Sequence, residues 1–467
     1  MVMDLNNAEP GKAFEGDYPE LYGNPTQLSS DIVAFQRDEL ERNCSSSGGS
    51  DLILGLLKGR RSGRRDVTQF EVRSWADSHP SLLGRGEIVM HAKSDPNGAV
   101  ANLLGSEGFT QVGGQQGDYV RWRNPKMVND SVTPLLKECQ ALGVESWPNY
   151  VATVAAIGKG IGGPEPVSGP PGSFVDYKIP SAPEYGPEPG PRVAVIDTGI
   201  PSLDNHGGYP GMTRGDGWLS KVARDDSNRD LLDTFPNGPD GYLDFQAGHG
   251  TFVAGIVQRV APGADIRVYR AADSEGLGTD DDIANALLRA VAEGARIVNL
   301  SLGLRTVDDQ PPPALAAAVR SIKEQYGDEV VIVAAAGNYG DWAPCWPAAL
   351  DGVEAVAGLT ADLEATRWSS RGSHVRFSTV AEGIRSTFVT GKESPDFDKD
   401  PEVFAADAWA LWTGTSFAAP QIAGAVARIC HELTITPRQA VDKLHERAAP
   451  VATNGFGRAM LILGGLH

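Results

Sequence analysis

Three polar residues, each set among small or apolar neighbours, have the chemistry of a nucleophilic catalyst. Ser416 stands in TGTSFAAPQIAGAVARIC (413–430), just ahead of a run rich in alanine and glycine. Pro420 is tolerated only in the first turn of a helix, where its missing N–H has no intrahelical partner. Ser416 is therefore expected at or just before a helix N-terminus, where unpaired N–H groups and the positive end of the dipole favour a developing anion. Asp197 closes the β-branched run RVAVIDTG (192–199), and His249 lies between glycines at the head of AGHGTFVAGIV (247–257). Taken singly, each has a plainer reading: a helix N-cap, an Asx turn, a structural histidine. Taken together they supply a nucleophile, a base near neutrality and a carboxylate to orient it. Asn338 ends VVIVAAAGN (330–338). Its amide, with the backbone N–H of Ser416, could stabilise a tetrahedral oxyanion, although a turn-forming Asn would look the same.

These residues need a scaffold that gathers them at one rim. From residue 192 onward, strand and helix patterns alternate nearly to the end of the chain. That order predicts an α/β fold, a parallel sheet flanked by helices on both faces, with ligands at the carboxyl ends of its strands. Upstream, residues 86–156 read as strand, helix, two strands, helix, strand, the βαββαβ order of a small ferredoxin-like α+β domain. Residues 157–191 form a Pro/Gly-rich linker with little regular structure expected. Residues 1–85 read as a polar, partly disordered extension, with one basic run, KGRRSGRR (58–65). A solvated tether is favoured for that run over a nucleic-acid arm or a processing site.

The 467 residues carry a formal charge of −19, which argues against nucleic acid as a partner, and no apolar run is long enough to span a bilayer. Cys44, Cys139, Cys345 and Cys430 are widely spaced and form no CxxC pair, so neither a disulfide framework nor a zinc site is expected. The acidic N-terminus lacks a basic and then apolar leader, which makes the cytoplasm the default location.

The segments VAVIDTGI, GHGTFVAGIV, AAAGN and GTSFAAPQIAGAVA resemble those of the subtilase (subtilisin-like) serine peptidase family. The resemblance implies peptide-bond hydrolysis through an acyl-enzyme, with Asp197, His249 and Ser416 as triad and Asn338 as oxyanion donor, and no cofactor; the loops that commonly hold structural calcium in the family are not recognisable in this sequence, so no metal is expected. It further implies that substrate binds as an extended strand beside NLSLG (299–303). Ser301, Leu302 and Gly303 would form one wall of the first pocket, Ala335, Ala336 and Gly337 the other, with Cys345 at its floor. Gly276 and Gly278 in DSEGLGTDDD (273–282) would bring backbone to the opposite rim of the cleft. Asp280, Asp281 and Asp282 either favour basic substrate residues or simply suit a helix N-terminus. VESWPNYV (144–151) resembles the closing strand of the family's inhibitory propeptide, which implies a self-inhibited zymogen cut within the linker. Phe252 and Gln421 stand where family members often have His. The same acyl-enzyme resolved by an amine would make a transpeptidase, and a catalytically silent peptide-binding scaffold is the other alternative.

Overall fold

The computed structural model describes residues 27–45, 50–62, 68–73, 81–116, 119–154, 166–168, 190–200, 219, 222, 241–396, 401–404 and 409–463. Most of the linker at 157–191 lies outside the described residues.

Two helices open the chain, α1 (Gln27–Ser45) and α2 (Ser50–Arg61), followed by strand β1 (Phe70–Arg73). Then come β2 (Ser81–His91), α3 (Ala99–Ser106), β3 (Thr110–Gln116), β4 (Tyr119–Arg123), α4 (Asn129–Ala141) and β5 (Ser146–Thr153). The four strands β2 to β5 pair antiparallel in the order β3-β4-β2-β5, with β1 added beside β2. Ile88, Met90, Val100, Leu104, Val132 and Leu136 make a core of their own between this sheet and α3 and α4. The two helices can lie on one face because alternate residues of β2 turn towards them.

The larger body is built on β7 (Arg192–Asp197), which the two-residue β6 (Val167–Ser168) precedes. It continues through α5 (His249–Val260), β8 (Asp265–Arg270), β9 (Leu277–Thr279), α6 (Asp280–Ala292), β10 (Ile297–Leu300), α7 (Pro313–Tyr326), β11 (Val331–Ala335), β12 (Val353–Leu359) and β13 (Val375–Val380). The short strands β14 (Ile384–Thr387), β15 (Gly391–Lys392), β16 (Val403–Phe404) and β17 (Trp409–Trp412) lead to α8 (Ala419–Leu433), α9 (Pro437–Arg447), β18 (Ala449–Pro450) and β19 (Arg458–Ala459). The main sheet runs β18-β19-β13-β12-β11-β10-β7-β8 and is parallel except at β18. The β-branched run at β7 shows why both faces must be covered. Val193 and Val195 enter the core shared with α5 and α8, whereas Ala194 and Ile196 enter the core shared with α6 and α7. The expected parallel sheet flanked by helices is therefore what forms, and β7, β10 and β11 end at one common rim.

The segment expected to be a polar, partly disordered extension differs from that reading over residues 27–45 and 50–61, which are helical and packed. Val33, Gln36 and Leu40 of α1 are buried against the larger body, with Val33 on Leu411 and Leu40 in the main core. Leu54 and Leu57 of α2 pack with Val151 and Leu277. Nor is the basic run wholly a solvated tether. Arg61 is ion-paired to Asp273 at 2.7 Å and Glu275 at 3.0 Å, and Arg60 to Asp244 at 3.0 Å and Glu275 at 3.2 Å. Three acids at the rim of the larger body explain the difference, since they give guanidinium groups a better environment than water alone. Residues 63–65 of the run lie outside the described residues.

Candidate active site

At the end of β7, Asp197 Oδ1 lies 2.8 Å from His249 Nδ1, and both side chains are fully buried. The same oxygen accepts the N–H of Thr198 at 2.7 Å, while the Thr198 hydroxyl accepts the N–H of Gly250 at 2.9 Å. A loop and a helix start, far apart in sequence, are locked together by these two bonds. Gly250 permits the approach, because a Cβ there would stand 2.4 Å from Gly199 O. With Nδ1 committed to the carboxylate, that nitrogen carries the imidazole proton and Nε2 keeps its lone pair. Nε2 is buried without a hydrogen-bond partner.

The imidazole packs against the rings of Trp412 and Phe417, at centroid distances of 5.4 and 5.5 Å. Phe417 follows Ser416 directly. Phe252 stacks on the same two rings and is fully buried, so an apolar side chain suits this position where a histidine is frequent in the family. Gln421 is also fully buried; its amide nitrogen donates to Val380 O and Phe417 O, both at 2.8 Å, which braces the turn carrying the serine.

Ser416 occupies a single turn (Thr415–Phe417) immediately ahead of α8, with Pro420 in the first turn of that helix. The Ser416 hydroxyl donates to Val154 O at 2.9 Å and lies 3.3 Å from Ser301 O. It does not bond His249 in this arrangement. Asn338 shares the pocket with Ser416 and Val154. Its Oδ1 accepts both the N–H and the hydroxyl of Thr415, at 3.0 and 2.8 Å. A backbone N–H can only donate, so the atom facing it must be the amide oxygen, and Nδ2 is the end left to donate elsewhere. Thr415 and Thr198 escape a sequence reading because a threonine hydroxyl that positions a neighbour carries no pattern of its own.

The cleft is filled by the chain's own residues. Val151, Ala152 and Thr153 pair antiparallel with Thr279, Gly278 and Leu277, so β5 lies on β9 as an added strand. On its other side Thr153 exchanges both backbone hydrogen bonds with Gly303, at 2.9 and 2.8 Å. Val154 N donates to Gly276 O at 3.0 Å, and a Cβ on Gly276 would meet Val154 Cγ2 at 2.8 Å. Val154 is buried, with Cγ2 towards Gly276, and it lines a small pocket together with Leu302, Gly303, Ala335, Gly337, Cys345 and Ser416. A Cβ on Gly303 would stand 2.5 Å from Cys345 Sγ, so this glycine keeps the pocket open. Burial pushes the Cys345 thiol up to about 11 and keeps it neutral.

Of the expected substrate-binding residues, Ala336 and Asp280 lie away from the cleft, and Ser301 reaches it with its carbonyl oxygen, 3.3 Å from Ser416 Oγ, and not with its hydroxyl. Ala336 is fully buried in the sheet, with its N–H on Val356 O. Ser301 stands behind the nucleophile: its hydroxyl accepts from Asn299 Nδ2 at 2.9 Å and donates to Ser416 O at 2.7 Å. Asp280 does not face the cleft at all. Its buried carboxylate takes the N–H groups of Ala314 and Leu315, both at 3.0 Å, and so satisfies the start of α7, where Pro312 and Pro313 can provide no cap. Burial pushes the Asp280 carboxyl up to about 7. Asp281 and Asp282 meet Arg121 of β4, whose Nη1 is 3.5 Å from Asp281 Oδ1 and 3.1 Å from Asp282 Oδ2.

The chain can now be set beside known proteins. The sequence profile described as the subtilase family matches residues 188–460. Thermitase of Thermoactinomyces vulgaris is 32% identical over 187 residues, covering 38% of this chain and 59% of that protein. Subtilisin DY of Bacillus licheniformis is 27% identical over 220 residues, covering 44% of this chain and 71% of that one. The chain thus spans between three-fifths and three-quarters of these relatives. The crystal structure of fervidolysin from Fervidobacterium pennivorans, described as a keratinolytic enzyme related to subtilisin, shares the fold with a TM-score of 0.56. At 20% identity it covers 84% of this chain and 61% of that one. With more than half of its residues matched by the profile, and with Asp197, His249 and Ser416 on the segments that carry the likeness, the chain belongs to the subtilase family.

Proposed function

We propose that the protein is a serine endopeptidase made as a self-inhibited zymogen, and that residues 81–154 are its inhibitory unit. His249 Nε2 takes the proton of Ser416 as Oγ attacks the carbonyl carbon of an extended peptide. Asp197 stabilises the imidazolium that results. Asn338 Nδ2 and the backbone N–H of Ser416 face the oxyanion of the tetrahedral intermediate. Its collapse breaks the C–N bond, and the departing amine takes the proton back from His249. Water then repeats the sequence on the acyl-enzyme, releasing the carboxylic acid and the free serine.

One observation carries this reading: Val154 O sits 2.9 Å from Ser416 Oγ, with residues 151–153 paired to β9 on one side and Thr153 bonded to Gly303 on the other, as a bound substrate strand would be. A peptide gains affinity from this kind of added strand and selectivity from the pockets beside it. The placement also moves the expected cut. We read the Val154–Ala155 bond, upstream of the linker at 157–191, as the one cut, because Val154 O accepts the Ser416 hydroxyl. Purifying the wild type beside Ser416→Ala tests the proposal by intact mass and N-terminal sequencing. A fragment beginning at Ala155 is expected from the wild type alone; equal, uncut chains would refute the zymogen reading.

A further inference from the structure

Helix α1 behaves as a part of the peptidase body that happens to be encoded ahead of the inhibitory unit. Its middle residue, Gln36, is fully buried: Nε2 donates to Leu411 O at 3.0 Å, and Oε1 accepts the Thr413 hydroxyl at 2.8 Å. Thr413 in turn accepts the N–H of Gly383 at 3.0 Å, and it opens the turn that carries Ser416. One step along the helix, Arg37 Nε reaches both carboxylate oxygens of the buried Glu382, at 3.1 and 3.0 Å. Glu382 also accepts Trp368 Nε1 at 2.9 Å. Leu40 shares one core cluster with Trp368, Trp412 and Phe417. Cys44 Sγ, at the last turn of α1, lies 3.6 Å from the carbonyl oxygen of Asn338. Removing α1 would strand a buried carboxylate and open the core behind the active site. Neither change can occur cheaply.

Four residues separate Ser45 of α1 from Ser50 of α2. Helix α2 then lies across the cleft: Leu54 and Leu57 cover Val151, and Arg60 and Arg61 hold Asp244, Asp273 and Glu275 on the rim. Next in the chain after α2 are β1, which pairs with β2, and then β2 itself, the first strand of the inhibitory unit. We propose that α1 is a permanent tether. On the reading that the chain cuts itself after Val154, the amino-terminal fragment stays anchored through α1, and the inhibitory unit rebinds the cleft from a short leash. Release then requires hydrolysis of a second peptide bond, between α1 and β2. A short connection of this kind keeps the effective concentration of the inhibitory unit at about the millimolar level, so dilution alone does not free the cleft.

The test uses the full chain and a version in which residues 46–49 are replaced by the recognition sequence of a site-specific protease. Both are allowed to cut after Val154, checked by the appearance of a fragment beginning at Ala155. One sample of the second is then severed at the inserted site. All are diluted about a thousandfold and assayed with a chromogenic peptide, where the severed chain is expected to gain roughly a hundredfold or more in activity over the unsevered ones. In size-exclusion chromatography, residues 1–154 should co-elute with the peptidase body in the unsevered samples. Should the insertion impair folding, the double variant Arg37→Ala/Leu40→Ala loosens α1 instead and should activate on dilution without an added cut. An unsevered chain that sheds its amino-terminal fragment on dilution as readily as the severed one overturns the tether while leaving self-cleavage intact. Absence of any fragment beginning at Ala155 overturns both.

Discussion

Replacing Asp280 by asparagine separates the two roles that three acids at a helix start could have. The carboxylate is buried and accepts one backbone N–H on each oxygen, from Ala314 and Leu315. Burial raises its pKa from the ordinary 3.8 to about 7, against the pull of those two N–H groups. A rise of about three units corresponds to at most about 4 kcal/mol of cost for burying the charge. Between the two pKa values the folded state binds more protons than the unfolded chain. The stability linked to this group is therefore complete below pH 3.8 and lost as the pH rises through about 7. Asparagine carries no charge at any pH, so the slope disappears. It has only one amide oxygen, however, so one N–H loses its acceptor at a pH-independent cost of about 1–3 kcal/mol. Urea unfolding on a Ser416→Ala background, which prevents self-digestion, should show the variant less stable by that amount near pH 4 (about the lower pKa) and level with the parent or above it near pH 8. Stability curves that stay parallel across this range would refute the burial argument. A changed preference for basic substrate residues would restore Asp280 to the cleft.

Two further substitutions address the site itself. Asn338→Asp keeps an oxygen for Thr415 but replaces the donor by an anion, so kcat should fall at least as far as in Asn338→Ala. A loss of roughly 10²–10³-fold is expected for the alanine variant, a size carried over from an oxyanion donor in subtilisin, a relative of this chain. The alanine variant should also lose about 1–3 kcal/mol of stability, because the buried N–H of Thr415 is then unpaired; thermal melts beside steady-state kinetics separate the two effects. Val154→Asp buries a carboxylate beside Gly276 in the cleft, so self-cleavage after residue 154 should slow by about a hundredfold or more, read from the rate at which the fragment beginning at Ala155 appears.

The peptidase body was legible because its signals are local. A β-branched run buried on both sides ends in Asp197, a glycine-flanked histidine opens an apolar helix, and a proline fixes the turn after Ser416. What could not be read depends on partners far along the chain. Asp280 caps a helix whose first donated N–H, from Ala314, lies 34 residues later, and nothing in DDD itself distinguishes that from a cleft acid. Helix α1 presents Val33, Gln36 and Leu40 to the body, one helical face whose central member is polar. Its glutamine is buried because Leu411 O and Thr413 satisfy it, and those groups lie more than 370 residues away. A face of that composition looks solvated until its acceptors are known.

The acidic surface of this chain gains a specific use from the same geometry. Arg37, Arg60, Arg61 and Arg121, all upstream of Val154, each end on carboxylates of the peptidase body. The apolar contacts of Val151 and Val154 could be offered by many peptides, but a strand carried with four guanidinium groups in register with Glu382, Asp244, Asp273, Asp281 and Asp282 is a much narrower match. Close charge pairs of this kind contribute mainly to which partner docks and how fast, less to how tightly it holds. Arg61 and Glu275 are almost wholly buried, so added salt screens that pair far less than it would a surface pair. On the proposed reading, charge selects the chain's own amino-terminal region for the cleft, the added strand sets Val154 O on the Ser416 hydroxyl, and α1 sets how long it stays there.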